Sequence, residues 1–251
     1  MLSKKVINPD FSHLESRLQD IVAGNYTPDF VFCNKRNVVE KVIIDGEAYV
    51  VKKYKRPQFI NRIAYRFFRK SKARRAYEYA LQLLSNGVDT PRPVAYFETY
   101  KNGLFDTGYF ISEFMPHSLL NTVYDADVCG EERRLILSDF IDFLGGLHAN
   151  GVVPMDLNAG NVFYHKEGAG YKFALTDINR MKFGVVAGAH DVMRSLEQCF
   201  YPMEHLYGLV MLYCEKSGQE PLEVMYEVLS LRIKRRKRNR FKRKMKAKIK
   251  K

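Results

Sequence analysis

The stretch HANGVVPMDLNAGNVFYHKEGAGYKFALTDINR, residues 148–180, decides how the rest of the chain is read. Asp156 and Asn161 lie five apart in a loop between a helical pattern and a strand-like one, and Asp177 ends the next strand-like run. Phosphoryl transfer asks a protein for such a set. One carboxylate orients an acceptor hydroxyl and takes its proton, while an amide and a second carboxylate hold magnesium on the phosphates. Taken alone the spacing is weak, because Asp and Asn are ordinary loop residues and Asp177 equally serves to cap a turn. The order of elements around the loop therefore carries the reading.

Upstream, residues 30–54 read as three strands, FVFC, VVEKVIID and EAYVVKKY, rich in Val, Ile, Phe and Tyr. They are broken at Asn34 and at Asp45-Gly46, the latter a strong hairpin signal. Alternation puts Val50 and Lys52 on one strand face, so Val50 can touch a base while Lys52 reaches phosphate. Beyond Pro57 the spacing turns helical through Ile63 and Phe67, then Ala73, Ala76, Tyr77, Ala80 and Leu84, with Ser71 as N-cap and Gly87 as stop. Glu78 is the only carboxylate between Ala48 and Val88, which makes it the one candidate partner for Lys52. Arg74 and Arg75 are its more ordinary helical partners, and Lys52 also belongs to a basic cluster with Lys53 and Lys55.

Two more strands, Pro93 to Phe97 and Gly108 to Phe114, flank an Asn102-Gly103 turn. A connector near Glu113 to Ser118 leads to a helical half. Its first helix has an apolar face of Leu135, Ile136, Phe140, Phe143, Leu144 and Leu147 and ends near Asn150-Gly151. Strand-like NVFYH and YKFALTDI follow, then helices from about His190 to Leu231. This order predicts an α+β fold in two lobes. Residues 1–24 form an N-terminal extension, 25–115 a small sheet lobe with one main helix, 116–230 a helical lobe, and 231–251 a basic tail.

Lysine, glutamate, connector, aspartate, asparagine and aspartate follow in the order of the protein-kinase-like fold, which this chain resembles. That fold's catalytic loop reads H-R-D-x-x-x-x-N and its metal loop D-F-G. The resemblance makes Asp156 the catalytic aspartate, Asn161 and Asp177 the metal ligands, and Lys52 the phosphate-binding lysine held by Glu78. Val50, Glu113 and Met115 become nucleotide contacts. More specifically, residues 50–98 together with the catalytic segment are similar to the lipopolysaccharide core kinases, the Kdo and heptose kinases, and GVDTPRPVAY is the most family-like phrase. The similarity spans about residues 25–235. It implies ATP and Mg2+ as cofactors and phosphorylation of a sugar hydroxyl, on Kdo or heptose, in a lipid-linked inner-core oligosaccharide. It also implies a cytoplasmic enzyme peripheral on the inner face of the inner membrane.

The chain departs from the protein-kinase pattern. No Gly-rich loop joins the first two strands, where CNKRNV leaves Lys35, Arg36 and their backbone N–H groups to cover phosphates. Pro154 and Met155 replace the His and Arg of H-R-D, D-F-G becomes Asp177-Ile178-Asn179, and no A-P-E segment follows. Activation-loop control and peptide docking are therefore disfavoured. Two other readings stand beside the sugar kinase: a phosphotransferase for another small or protein substrate, and a kinase-like binding protein without catalysis.

The 251 residues carry 41 Lys and Arg against 28 Asp and Glu, a formal net charge of +13. Residues 231–251 hold 14 of the basic side chains and no acidic one, leaving 27 basic against 28 acidic elsewhere. A second cluster, Lys52 to Arg75, holds 11 basic and no acidic residues, punctuated by Phe59, Tyr65, Phe67 and Phe68, aromatics expected to pack inside the small lobe. In the tail, Ile233, Phe241, Met245 and Ile249 form a narrow helical stripe that suits an anionic membrane surface. Like charges at i and i+4 oppose that helix in free solution, so the tail is expected to be disordered or frayed in water and to become helical on an anionic membrane or lipopolysaccharide. With Phe241 its only aromatic, it offers little for stacking on bases, and no specific nucleic acid is expected.

With 46% hydrophobic and 13% aromatic residues, disorder of the whole chain is excluded. The longest apolar run, Tyr207 to Cys214, falls short of the roughly 20 residues a membrane span needs. The opening MLSKKVINPDF lacks the apolar core of a signal peptide, and Cys33, Cys129, Cys199 and Cys214 form neither a metal motif nor a disulfide framework. A reducing cytoplasm is the expected compartment. His148, ending an apolar helix, reads as structural, and His117 has no obvious partner. Arg180 and Lys182 face either an anionic acceptor or solvent.

Overall fold

The computed structural model describes residues 2–35, 37–200 and 202–249. The chain divides into two compact units, Met1–Pro116 with Leu175–Asn179, and His117–Ala174 with Arg180–Lys251.

The first unit is built on a six-stranded antiparallel sheet. In chain order its elements are β1 (Leu2–Ile7), α1 (Glu15–Ala23), β2 (Phe30–Asn34), β3 (Asn37–Ile44), β4 (Glu47–Tyr54), α2 (Phe59–Phe67), α3 (Lys72–Ser85), β5 (Pro93–Lys101) and β6 (Leu104–Glu113). The strands lie in the order β1-β5-β6-β4-β3-β2. Both expected hairpin turns form. Asp45 and Gly46, like Asn102 and Gly103, have positive φ at both central positions, and that twist matches the flanking strands.

Residues 2–24, expected as an extension, are part of this lobe. β1 pairs with β5 as an edge strand, buried Asn8 donates to the Pro93 carbonyl at 3.0 Å, and Phe11, Leu14, Leu18 and Ile21 cover one sheet face. That face consists of Val42, Ile44, Tyr49, Val51, Phe97, Tyr109 and Ile111. Strand alternation therefore turns Val50 and Lys52 to the opposite face, where Lys52 lies across from Phe110 and Val50 across from Ser112. Helix α3 packs on that second face. The Tyr77 and Tyr96 rings meet at 5.4 Å, and Ala73 comes so close to Gly108 that an added Cβ there would stand 3.1 Å away. Ser71 caps α3 by accepting from Arg74 N, and Gly87 ends it at φ +69, both as expected.

Where the periodicity suggests one main helix, the chain makes two, α2 and α3. Helix α2 departs further, because its one buried side chain is Arg62 while Phe59, Phe67 and Phe68 stand exposed. The expectation that these aromatics pack inside holds only for Tyr65, which meets Phe105 edge-on at 5.3 Å.

The second unit contains β7 (Ser118–Leu119), α4 (Gly130–Ala149), β8 (Val153–Pro154), β9 (Val162–Glu167), β10 (Gly170–Leu175), β11 (Met181–Lys182), α5 (Ala189–Cys199), α6 (Met203–Ser217) and α7 (Pro221–Ile249). Ile136, Phe140, Leu144 and Leu147 of α4 are buried as expected, with Phe140 against Phe173 of β10, whereas Leu135 is exposed. Among the described residues no helix is long and apolar enough to cross a membrane.

The tail expectation needs correction. Helix α7 runs unbroken from Pro221 to Ile249, so no boundary falls at residue 231. Val224 and Val228 bury its first turns, and Arg232 is 2% exposed, donating to the Glu197 side chain and to the carbonyls of Glu197 and Phe200. Arg235 reaches the same Glu197 carboxylate at 2.7 Å. Packing and these ion pairs supply the costly helix nucleus, and the basic residues beyond need only propagate it.

Candidate active site

In the first unit the site grows from strand β4. Lys52 Nζ donates to Thr176 Oγ1 at 2.8 Å, beside Asp177. The segment carrying Thr176 and Asp177 is seated by the loop after α3. Leu175 N donates to the Asp89 carbonyl at 2.9 Å, and Thr90 Oγ1 donates back to the Leu175 carbonyl at 2.6 Å. The phrase GVDTPRPVAY thus has a structural task, which is to anchor the end of β10 beside the lysine strand. Asp177 itself takes φ +51, a left-handed conformation uncommon for a residue with a Cβ, and accepts from Asn179 Nδ2 at 2.7 Å.

A small hollow is bounded by Lys52, Phe110, Ser112, Thr176 and Asp177. Burial pushes the Lys52 ammonium below the ordinary lysine range, and the Asp177 carboxylate pulls it back up. Tyr54, buried on the same rim, has its phenol pushed up by burial and then by Asp177. The lysine is therefore desolvated and only partly compensated, an arrangement that a polyanion relieves.

The expected Lys52–Glu78 pair is not made. Glu78 is held by Arg74 and Lys70, each at 2.8 Å, and Lys52 by Thr176. Helical proximity puts Arg74 one turn before Glu78, the ordinary partner the sequence also offered. Val50 is half-buried on the Lys52 face. Glu113 closes β6 with its backbone N–H bonded to the Arg92 carbonyl at 3.0 Å, and Met115 is half-buried just beyond. In the β2–β3 loop, Lys55 Nζ donates to the Lys35 carbonyl at 2.7 Å; Arg36 lies outside the described residues.

In the second unit Asp156 is exposed and accepts from Arg180 Nη1 at 3.2 Å. The loop around it is fixed at several points. Met155 N donates to the Arg180 carbonyl at 2.9 Å beside the β8–β11 pairing, and Leu157 N donates to Gln198 Oε1 at 3.1 Å. Asn158 Oδ1 accepts from Gly160 N at 2.8 Å, turning the chain so that Asn161 N reaches the Asn158 carbonyl at 2.7 Å. Asn161 follows half-buried at the start of β9. Arg180, expected to face an anionic acceptor or solvent, is exposed and pairs with Asp156, a contact that neither reading contained. His148 is structural as expected, facing Ser195 Oγ at 3.4 Å, and His117 stacks on His165 at 4.1 Å.

Sequence reasoning missed Thr176, Thr90 and Gln198. Their neighbours Asp177 and Pro91 drew attention for other reasons, and nothing in the spacing marks a side chain whose role is to hold a loop. Among the described residues no three His, Cys, Asp or Glu side chains converge as a preformed metal cluster.

No curated protein sequence matches the chain significantly. Among solved structures it is similar to one described as WaaP in complex with acyl carrier protein, at 15% identity over 94% of this chain and 98% of that one, with a TM-score of 0.59. At that identity the likeness speaks for the fold alone, a two-lobed protein-kinase-like fold. The model of the lipopolysaccharide kinase (Kdo/WaaP) family matches residues 34–198, more than half of the sequence, and the chain belongs to that family.

Proposed function

We propose that the chain transfers the γ-phosphate of ATP to a hydroxyl of an inner-core sugar, Kdo or heptose, on a lipid-linked precursor. The observation that carries this reading is Lys52, half-buried on the α3 side of the sheet, bonded to Thr176 and beside Asp177 with its left-handed backbone. The residues fit magnesium as well as nucleotide. Mg2+ is usually held by one or two carboxylates together with phosphate oxygens and waters, so no dense acidic cluster is required. Asp177 and Asn161 are the proposed ligands, and bound magnesium would neutralise charge on the phosphates.

Lys52 would orient the phosphates with its position set by Thr176, and Val50, Glu113 and Met115 would contact the nucleotide. Asp156 would orient the acceptor hydroxyl and take its proton as the new O–P bond forms and the bond to the ADP leaving group breaks. Arg180, exposed and paired with Asp156 at the surface, exchanges partners at little cost and would meet an anionic group on the acceptor.

The proposed location is the cytoplasmic face of the inner membrane, with the basic stretch of α7 against anionic headgroups. Acyl carrier protein, the companion of the solved neighbour, is a second partner suited by charge to a basic surface.

Radiolabelled ATP with an isolated lipid-linked core acceptor tests the activity. Transfer of label, with mass spectrometry locating one added phosphate on Kdo or heptose, is the expected result. Stabilisation by Mg-ATP without transfer to any core acceptor would leave a phosphotransferase for another substrate or a binding protein instead.

A further inference from the structure

We infer that α2 is a membrane-insertion element, whose outward apolar face enters the boundary between headgroups and acyl chains of an anionic bilayer. The inference does not rest on the kinase reading, because it concerns residues assigned no part in phosphate transfer.

The helix is inverted. Its one buried side chain is charged: Arg62 Nε donates to the Phe105 carbonyl at 2.8 Å and Nη2 to the Lys101 carbonyl at 3.2 Å, with Asp106 at 4.0 Å. These bonds fix the rotation of α2 about its axis. At about 100° per residue they send Phe59, Ile60 and Phe67 to one outer face, with Ile63 half-buried between them. Exposure agrees, at 63% for Phe59, 80% for Ile60 and 65% for Phe67, and Phe68 just beyond the helix is 80% exposed. A helix placed only to complete the lobe would turn those residues inward. The arginine anchor instead holds a contiguous apolar face out of the protein, and such faces mark partners.

The chemistry of the surroundings selects lipid. Residues 52–75 contain 11 basic and no acidic side chains, and Arg66 and Arg69 lie over the Tyr100 and Tyr65 rings at 5.0 and 5.4 Å. Guanidinium groups at the border of an aromatic and aliphatic face suit phosphate headgroups above an acyl layer. Ile60, the equal of Phe68 in exposure, argues against a surface for stacking on bases.

The chain contains no tryptophan, so a single introduced Trp is an unambiguous reporter. Full-length Phe67→Trp should shift its emission to the blue and be quenched by brominated lipid when phosphatidylglycerol-containing vesicles are added, whereas Leu222→Trp on α7 should not. The triple variant Phe59→Ser, Ile60→Ser, Phe67→Ser should lose about tenfold or more in vesicle partition while keeping the melting temperature and circular dichroism of the parent chain in solution. An unshifted Phe67→Trp emission on vesicles that sediment the protein would overturn the inference. So would a shift produced by an acidic acyl carrier protein and not by vesicles, which would assign the face to a protein partner.

Discussion

Lys52 and Thr176 are joined by a 2.8 Å bond from ammonium to hydroxyl, and this bond, not a salt bridge to α3, sets where the lysine stands. A neutral acceptor positions the charge without neutralising it, leaving Lys52 available to an incoming anion. Thr176→Val should therefore weaken Mg-ATP binding about fivefold, the worth of one ordinary hydrogen bond, and Lys52→Ala should lower kcat/KM by about a hundredfold or more. Glu78→Gln, by contrast, should change the nucleotide KM by less than about threefold, since Glu78 serves Lys70 and Arg74. Calorimetric titration and steady-state kinetics read both.

Asp156 and Arg180 give a second pair of expectations. Asp156→Ala should abolish phosphate transfer with Mg-ATP binding kept, because the role proposed for the group is on the acceptor side. Arg180→Ala should raise the acceptor KM by about tenfold and leave the nucleotide KM unchanged; equal effects on both would contradict contact with an anionic acceptor.

Glu197 is 1% exposed and is shared by Arg232 and Arg235. Removing Arg232 leaves the buried carboxylate to Arg235 alone, so Arg232→Ala should lower unfolding free energy by about 3 kcal/mol in urea denaturation, the lower end of the cost of breaking a buried pair. The double variant Glu197→Leu, Arg232→Met should recover most of that loss, because Arg235, one third exposed, is free to turn to water.

His148 supplies a pH dependence. Burial holds its imidazole below the ordinary value, with Asp191 opposing and Arg194 reinforcing the shift. The unfolded chain therefore binds a proton near pH 6.5 that the folded chain refuses. Stability is full above that value and falls as the pH drops from about 6.5 toward the lowered folded value. Thermal melts from pH 7.5 to pH 5 should show this slope, and His148→Gln should flatten it.

Which features could be foreseen follows from how local each one is. Asp45-Gly46 and Asn102-Gly103 announce hairpins because the turn geometry itself demands those residues, and Ser71 and Gly87 bound α3 for similar reasons. Asp156, Asn161 and Asp177 are singled out as candidates by spacing and order. The edge strand β1 is not, since LSKKVI is short and mixed in polarity and acquires its place only through pairing with β5. Helix α2 misleads for a deeper reason: periodicity reports the apolar side of a helix but not whether that side meets the protein or something else. The partner of Lys52 was likewise beyond reach, because a threonine 124 positions away leaves no trace in spacing.

Helix α7 gives the net charge a direction. From Arg232, fixed in the second unit, to Ile249 it rises about 1.5 Å per residue, or roughly 25 Å, and carries nearly all of the chain's excess cations along a single rod. Residues 1–230 hold 27 basic and 28 acidic side chains, so positive charge is separated onto one rod, as at one end of an electric dipole. Near a negatively charged plane, within the screening distance of about 8 Å at physiological salt, such a dipole feels a torque as well as an attraction. On the proposed membrane it would arrive already turned, with fewer collisions in the wrong orientation before any contact is made.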